Sequence, residues 1–304
     1  MSLNCNEIPI GLPVRACNLH QHINYGRCLK TLGCQAFRVP LLDGQEPVGH
    51  AQVFLRKYAG IYFAWLPRGP IWASHVSNAA KLHCFRQIAR KLPKATIWAI
   101  HPEHNEDSRI LRGFGRVPVS NSRSFAELNL QADCETRLKV QHGKWRNRLR
   151  RSLCGPLRVQ NRVLDYTSDN HLLEKENMQR RQQYAALPAQ FTATWSTINP
   201  SQTRMFLALK DERCVAFMVI LLHWPCATYH IGWTNKSGRS LSAHNRLLWS
   251  ASNWLSEKGY HRLDLGCTDP VRLPGLTRFK LGCGATVKTI PRPILVAPFV
   301  MRNM

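Results

Sequence analysis

The chain reads as a mixed α/β (α+β) protein built from two similar halves. Two observations predict this. Hairpin strands, then an amphipathic helix, then a short apolar strand occur in that order twice. The 304 residues are 44% apolar, enough for two domains of ordinary size with real cores. The halves meet near Arg150–Pro156, which gives expected domains of residues 1–150 and 151–304.

In the first half, Gln35–Pro40, Pro47–Leu55 and Ile61–Leu66 carry the β-branched and aromatic residues of strands, with turn residues between them. A helix over Ala79–Leu92 follows, then a strand over Ala95–Ile100. In the second half, a helix over Asn170–Tyr184 precedes strands at Arg204–Leu209, Arg213–Leu222 and Thr228–Trp233. A helix over Ala243–Lys258 and a strand at Arg262–Leu265 complete it.

Charge narrows the partners. Forty-two Lys and Arg against eighteen Asp and Glu give a net +24. A field of that sign attracts phosphate-rich surfaces and predicts a polyanionic partner. Residues Arg137 to Arg162 hold nine cations and no acid. Trp145, Leu149 and Leu153 recur there at every fourth residue, which predicts a helix with one apolar stripe. Lys144, Arg146, Arg148 and Arg151, beside the aromatic Trp145, are candidate phosphate trackers; the competing reading is a solvated face with Trp145 in the core.

The stretch from Gly259 to Gly284 carries the chemistry. A helix ends at Gly259, and Leu263-Asp264-Leu265 is a buried strand. A Gly/Pro-rich loop is then expected to present Lys280 beside Phe279 at the end of a strand, where α/β folds build sites. Asp264 either orients that site or bonds the loop backbone.

This stretch resembles the C-terminal signature of the Fem-type aminoacyltransferases, in the GNAT-like superfamily. Leu66-Pro-Arg-Gly-Pro-Ile71 resembles the Pro-Arg-Gly-Pro element of their first domains, and Tyr25-Gly-Arg-Cys-Leu-Lys30 their aromatic-then-lysine helix. Lys144-Trp-Arg-Asn-Arg-Leu-Arg-Arg151 looks like the basic stretch that opens their second domain. The likeness spans roughly residues 20 to 290.

The resemblance implies tandem GNAT-like domains, the first binding an acceptor and the second the donor and catalytic loop. It implies transfer of an amino acid from aminoacyl-tRNA to an amine, with no metal and no bound coenzyme. Lys30 is then the counterpart of a lysine that binds the acceptor's diphosphate, and Arg68 belongs to the same substrate side. Phe279 and Lys280 stand at the family's Phe-Lys pair, and Lys280 is suited to hold the oxyanion of ester aminolysis.

Three departures matter. Many Fem-type sequences have an acid before the proline at Pro102; here it is His101, which at an ordinary pKa can take a proton from the attacking amine. The only candidate for the family's long helical arm, Leu172–Leu187, is too short. The loop Arg239-Ser-Leu-Ser-Ala-His244 keeps the arginine of a coenzyme A loop, but serine and histidine replace its glycines. That counts against an acyl-coenzyme A donor, which stays as the alternative. A nucleic-acid-binding protein on a GNAT scaffold without activity is the third reading.

Eleven cysteines, none in a CxxC, predict reduced thiols in a cytosolic protein rather than a disulfide or zinc framework. His101-Pro-Glu-His104 lacks a third metal ligand nearby. Met1–Ile8 shows no secretory pattern, and the longest apolar run, Cys214–Leu222, is far short of a membrane span.

Overall fold

The computed structural model describes residues 18–94, 96–111, 117–181, 187 and 189–296. The reading of Met1–Ile8, and parts of the expected segments at Ala95, 182–184 and 182–186, lie outside them. Two units form, each around its own sheet: residues 1–123 with 289–304, and residues 124–288. Both mix helices with a sheet, as the expected α/β class requires, but the division does not fall at residue 150. The reason is strand pairing. Arg123–Asn129 pairs antiparallel with the strand Arg262–Thr268, and Ile294–Val296 pairs with Thr96–His101.

In the first unit, α1 (Ile23–Thr31) precedes β1 (Gln35–Asp43), β2 (Glu46–Tyr58), β3 (Ile61–Pro67) and β4 (Ile71–Trp72). Then come α2 (Asn78–Lys91), β5 (Thr96–His101), α3 (Asn105–Ile110) and β6 (Val117–Pro118). The C-terminal β14 (Ile294–Val296) completes a sheet ordered β1-β2-β3-β5-β14-β6, with β4 on β2. Helix α2 starts at Ser77, whose hydroxyl accepts from the Ala80 N–H. It buries Cys84, Phe85, Ile88 and Ala89 against Val39, Val53, Leu66, Trp98 and Ile100. The spacing of those four apolar residues is the one-sided stripe that the sequence showed.

The second unit contains β7 (Arg123–Asn129), α4 (Cys134–Lys139), α5 (Gly143–Leu153), β8 (Arg158–Val163), α6 (Tyr166–Arg181) and α7 (Ala189–Ile198). Then follow β9 (Thr203–Lys210), β10 (Arg213–His223), β11 (Cys226–Thr234), α8 (Lys236–Ser240), α9 (Ala243–Glu257), β12 (Arg262–Thr268), α10 (Pro274–Gly282) and β13 (Thr286–Ile290). The order is β13-β7-β12-β11-β10-β9-β8. Strand β10 is buried along both faces. Ala216, Met218, Ile220 and Leu222 meet Leu247, Leu248, Ala251 and Leu255 of α9. Phe217, Val219 and Leu221, on the other face, are equally buried. Two-sided burial explains the unbroken apolar run at this strand.

Strands β11 and β12 run parallel and pair only from Cys226↔Arg262 to Thr228↔Asp264. Beyond Asp264 the β12–β7 register shifts, and Gly266 takes a φ of +80° that favours glycine. The sheet therefore opens at the C-terminal end of β12. No described helix is long and apolar enough to cross a membrane.

Candidate active site

Lys280 lies at this opening, but on α10 rather than on a loop. Pro274 sits in the first helical turn, where its missing N–H costs nothing, so a Pro/Gly-rich sequence still forms a helix. Lys280 is buried, and its Nζ donates to the Cys267 carbonyl at 2.8 Å. Burial holds its pKa below the usual lysine value, opposed by the charges of Cys267 and Asp264. The amine stands 3.5 Å from where a Cβ at Gly266 would lie. Asp264 is buried, and its Oδ1 accepts from the Gly266 N–H at 2.7 Å, shaping the bulge.

Phe279 packs on the core with its ring 6.2 Å from Trp145 and 6.0 Å from His244. Trp145 Nε1 donates to the Phe279 carbonyl at 3.0 Å. This ties α10 to the basic helix α5. His142 caps α5, accepting from Lys144 N–H through Nδ1. Trp145 and Leu149 are buried as expected, but the stripe continues through Ser152, and Leu153 is exposed. The nine cations of this stretch divide. Arg137 is buried against Trp249 and Ser252, and Lys139, Arg158 and Arg162 pair with Glu135, Glu212 and Asp169. Arg146 reaches the carbonyls of Leu138 and Lys139. Lys144, Arg148, Arg150 and Arg151 face solvent.

Arg148 and Arg151 meet Arg239 around a cleft of about 360 Å³ at the start of α9. Thr234, Gly238, Ser242, His244 and Asn245 also line it, and no acid does. Arg239 is steadied by the Thr234 carbonyl, 3.0 Å from its Nη1. Ser242 stands at φ +55°, the left-handed turn that a glycine would take, and offers α9 no side-chain cap. The start of this helix therefore lies, without a side-chain cap, beside three guanidinium-bearing residues, an arrangement suited to an anion by charge and dipole together. His244, lining the cleft, has Nε2 3.2 Å from the Trp233 carbonyl, and burial lowers its pKa. His244, in the wall of this cleft, touches Phe279, the residue before Lys280 on α10.

Sequence reasoning named Lys280, Phe279, Asp264, Lys144, Trp145, Arg146, Arg148, Arg151 and Arg239, and all of these lie in the second unit. It missed the left-handed Ser242, the His244–Phe279 contact and the Cys267 carbonyl. An uncapped Ser-rich entry to a helix beside Arg239 was the available signal for the first.

The other three candidates lie in the first unit. His101 is buried, held by the Pro291 backbone, and its Nε2 has no partner among the described residues. Burial, with Arg123 and Arg68 nearby, drives its pKa to about 4, so the expected near-neutral base is instead a neutral, weakly basic imidazole. Arg68, at φ +47°, is buried and bonded twice to Glu103 at 2.9 and 3.1 Å; it braces its turn and has no free fork for a substrate. Lys30 is exposed on α1 and shares a pocket of about 40 Å³ with Arg27, Arg38 and Gln52. Among the described residues no group of three or more His, Cys, Asp or Glu is arranged to hold a metal ion.

No protein-family profile matches the sequence, and no curated protein matches it. Solved structures do. FemX superposes with a TM-score of 0.78 over 97% of this chain and 96% of its own, at 12% identity. The chain has the FemX fold. Two lysylphosphatidylglycerol synthetase structures are also similar. One is the C-terminal DUF2156 domain of a putative enzyme from Agrobacterium fabrum, with a TM-score of 0.57, 14% identity, and 94% and 91% covered. The other is L-PGS from Bacillus licheniformis, with a TM-score of 0.54, 13% identity, and 92% and 94% covered. Identities this low establish the fold alone.

Proposed function

We infer that the chain is an aminoacyltransferase that takes an amino acid from aminoacyl-tRNA and delivers it to an amine. One observation carries this reading: a phosphate-suited cleft of Arg148, Arg151, Arg239 and the α9 N-terminus is linked, through the His244–Phe279 ring contact, to the helix that carries a desolvated lysine at the opening of the sheet. The 3′ end of a charged tRNA brings both a phosphodiester for the cleft and an ester for the lysine. The acceptor amine attacks the ester carbonyl, the C–N bond forms, and the carbonyl oxygen takes the negative charge. One Lys280 N–H is held by Cys267, which leaves its others for that oxyanion. Collapse breaks the ester C–O bond, and the ribose oxygen leaves with the proton that the amine gives up.

An acyl-coenzyme A donor is the second reading, favoured by the glycine-like turn at Ser242. Against it stand the side chains of Ser242 and His244, which line the cleft where glycines would leave room for a pyrophosphate. The test is incubation with a pool of charged tRNAs and candidate amine acceptors. The reading expects acceptor-dependent loss of one aminoacyl ester and a labelled amide product. Stoichiometric, low-micromolar binding of acetyl-coenzyme A in calorimetry, with no ester consumed, would replace it by the second.

A further inference from the structure

One face of the first unit's sheet is only partly covered: among the described residues Tyr25 packs over Phe54 and His20 over Trp65, and the hairpin end of β2 and β3 beyond them is exposed. Along β3 the residues alternate: Ala64 and Leu66 enter the core under α2, and Ile61, Phe63 and Trp65 point the other way. The register puts Ile97 of β5 beside Phe63, and Arg56 and Tyr58 of β2 beside Phe63 and Ile61. Tyr58 is 77% exposed, Ile61 43%, Phe63 42%, Trp65 38% and Ile97 39%. Single exposed apolar residues are ordinary, but five large ones on adjoining strands of one face mark an interaction surface.

The charge around this face is one-sided. Residues 47 to 102 contain eight Lys or Arg and no Asp or Glu. Arg56 stands opposite Phe63 near the hairpin end of β2, and Lys94 precedes β5; Lys57, on the other face, lies over the Tyr62 ring. Parallel pairing from Tyr62↔Thr96 places the start of β5 beside the start of β3, so the exposed Arg56 and Lys94 gather at the same end as Tyr58 and Ile61.

We propose that this face docks on an anionic lipid bilayer. Aromatic and aliphatic side chains enter the headgroup boundary, and Arg56 and Lys94 meet the lipid phosphates. The pairing of exposed apolar side chains with the exposed cations Arg56 and Lys94 at the same end selects this occupant. A second copy would bring like charge against like. Nucleic acid has no apolar layer for Ile61 and Ile97 to enter.

The test is co-sedimentation of nuclease-treated full-length protein with phosphatidylcholine vesicles, with and without about one-third phosphatidylglycerol. Ile61→Ser/Phe63→Ser removes apolar surface and keeps every charge; both residues are exposed, so folding is preserved and near-ultraviolet circular dichroism checks it. Arg56→Gln/Lys94→Gln does the reverse. The proposal expects binding to the anionic vesicles, and a loss of about tenfold or more in the apolar variant. It expects a similar loss, about tenfold, in the charge variant. Equal binding by parent and apolar variant would reduce the effect to bulk charge and overturn the proposal. So would no binding by the parent, or a parent dimer in sedimentation equilibrium that the apolar variant dissociates.

Discussion

Trp145 and Gly282 fix the geometry between the basic helix and the helix that carries Lys280. A Cβ at Gly282 would sit 2.8 Å from Trp145 Cδ1, while the same indole donates to the Phe279 carbonyl at 3.0 Å. Helices α5 and α10 can approach this closely only with glycine at 282. Gly282→Ala should therefore destabilise the protein by about 1–3 kcal/mol, because neither the ring nor the backbone can yield freely. Trp145→Phe keeps a ring but loses the donor, at a cost of about 1 kcal/mol. Urea unfolding measures both. An alanine at 282 that leaves the midpoint unchanged contradicts this packing.

The cations of α5 should separate by function. Lys144, Arg148 and Arg151 face solvent, whereas Arg137 and Arg162 hold structural partners. For tRNA binding, each Ala substitution in the first set that removes a phosphate contact should lower the log–log salt slope by about 0.7–0.9. Arg162→Ala should lower stability and leave the slope intact. A triple variant of the first set with the parent's slope would make α5 a solvated face and no more.

Ser242 holds a glycine's backbone angle at the head of the cleft. A non-glycine residue there is strained by about 1–2 kcal/mol. Ser242→Gly should raise stability by about 0.5–1 kcal/mol, since the freer unfolded glycine offsets part of the relief. A lower melting temperature in this variant would show that the serine hydroxyl has a structural bond to lose.

Acid should weaken the protein well before its carboxylates titrate as a class. Burial, with Arg38 close by, lowers His22 to about 4 and His50 to about 3; His101 falls to about 4. A histidine with a depressed folded pKa contributes stability that is complete above its unfolded value of 6.5 and is lost as pH falls toward the folded value. Asp107 acts oppositely. Burial raises it from 3.8 to about 6, so its contribution is complete below 3.8 and is lost as pH rises through 6. Each group is worth on the order of 3 kcal/mol, and three histidines outweigh one aspartate. Urea midpoints should fall steadily from pH 6.5 to 4. His50→Gln should flatten that fall, and Asp107→Asn should steepen the parent's fall by removing the opposing contribution. A midpoint independent of pH across this window contradicts the burial of these rings.

The strands and helices that the sequence reading named were legible because their periodicity is local, whereas β8 and α7 went unread and α6 begins four residues before its expected start. The β10 run, the α2 stripe and the α9 stripe all fall within a residue or two of their expected limits. Helix α10 was not legible, because Pro274 and Gly275 read as loop signals although proline is at ease in a first helical turn. The division at residue 123 was not legible either. It depends on which sheet β7 and β14 join, and strand pairing at long range leaves no local trace. At the site, residue identities were visible and partners were not. Arg68 shows no sign in sequence of its Glu103 partner 35 positions away. Lys280 shows none of the carbonyl that holds it.

The central claim is that Lys280 stabilises the oxyanion formed in ester aminolysis. Lys280→Met keeps the length and apolar stem of a buried side chain and removes the charge, and circular dichroism verifies that the variant folds. Lys280→Arg should recover little, since a planar fork does not replace an ammonium beside Cys267 and Gly266. The direct measurement is single-turnover transfer from aminoacyl-tRNA to the acceptor by the folded Lys280→Met protein. The account predicts a rate about 100- to 1000-fold below the parent's. A rate within about threefold of the parent's, far short of that loss, would contradict it.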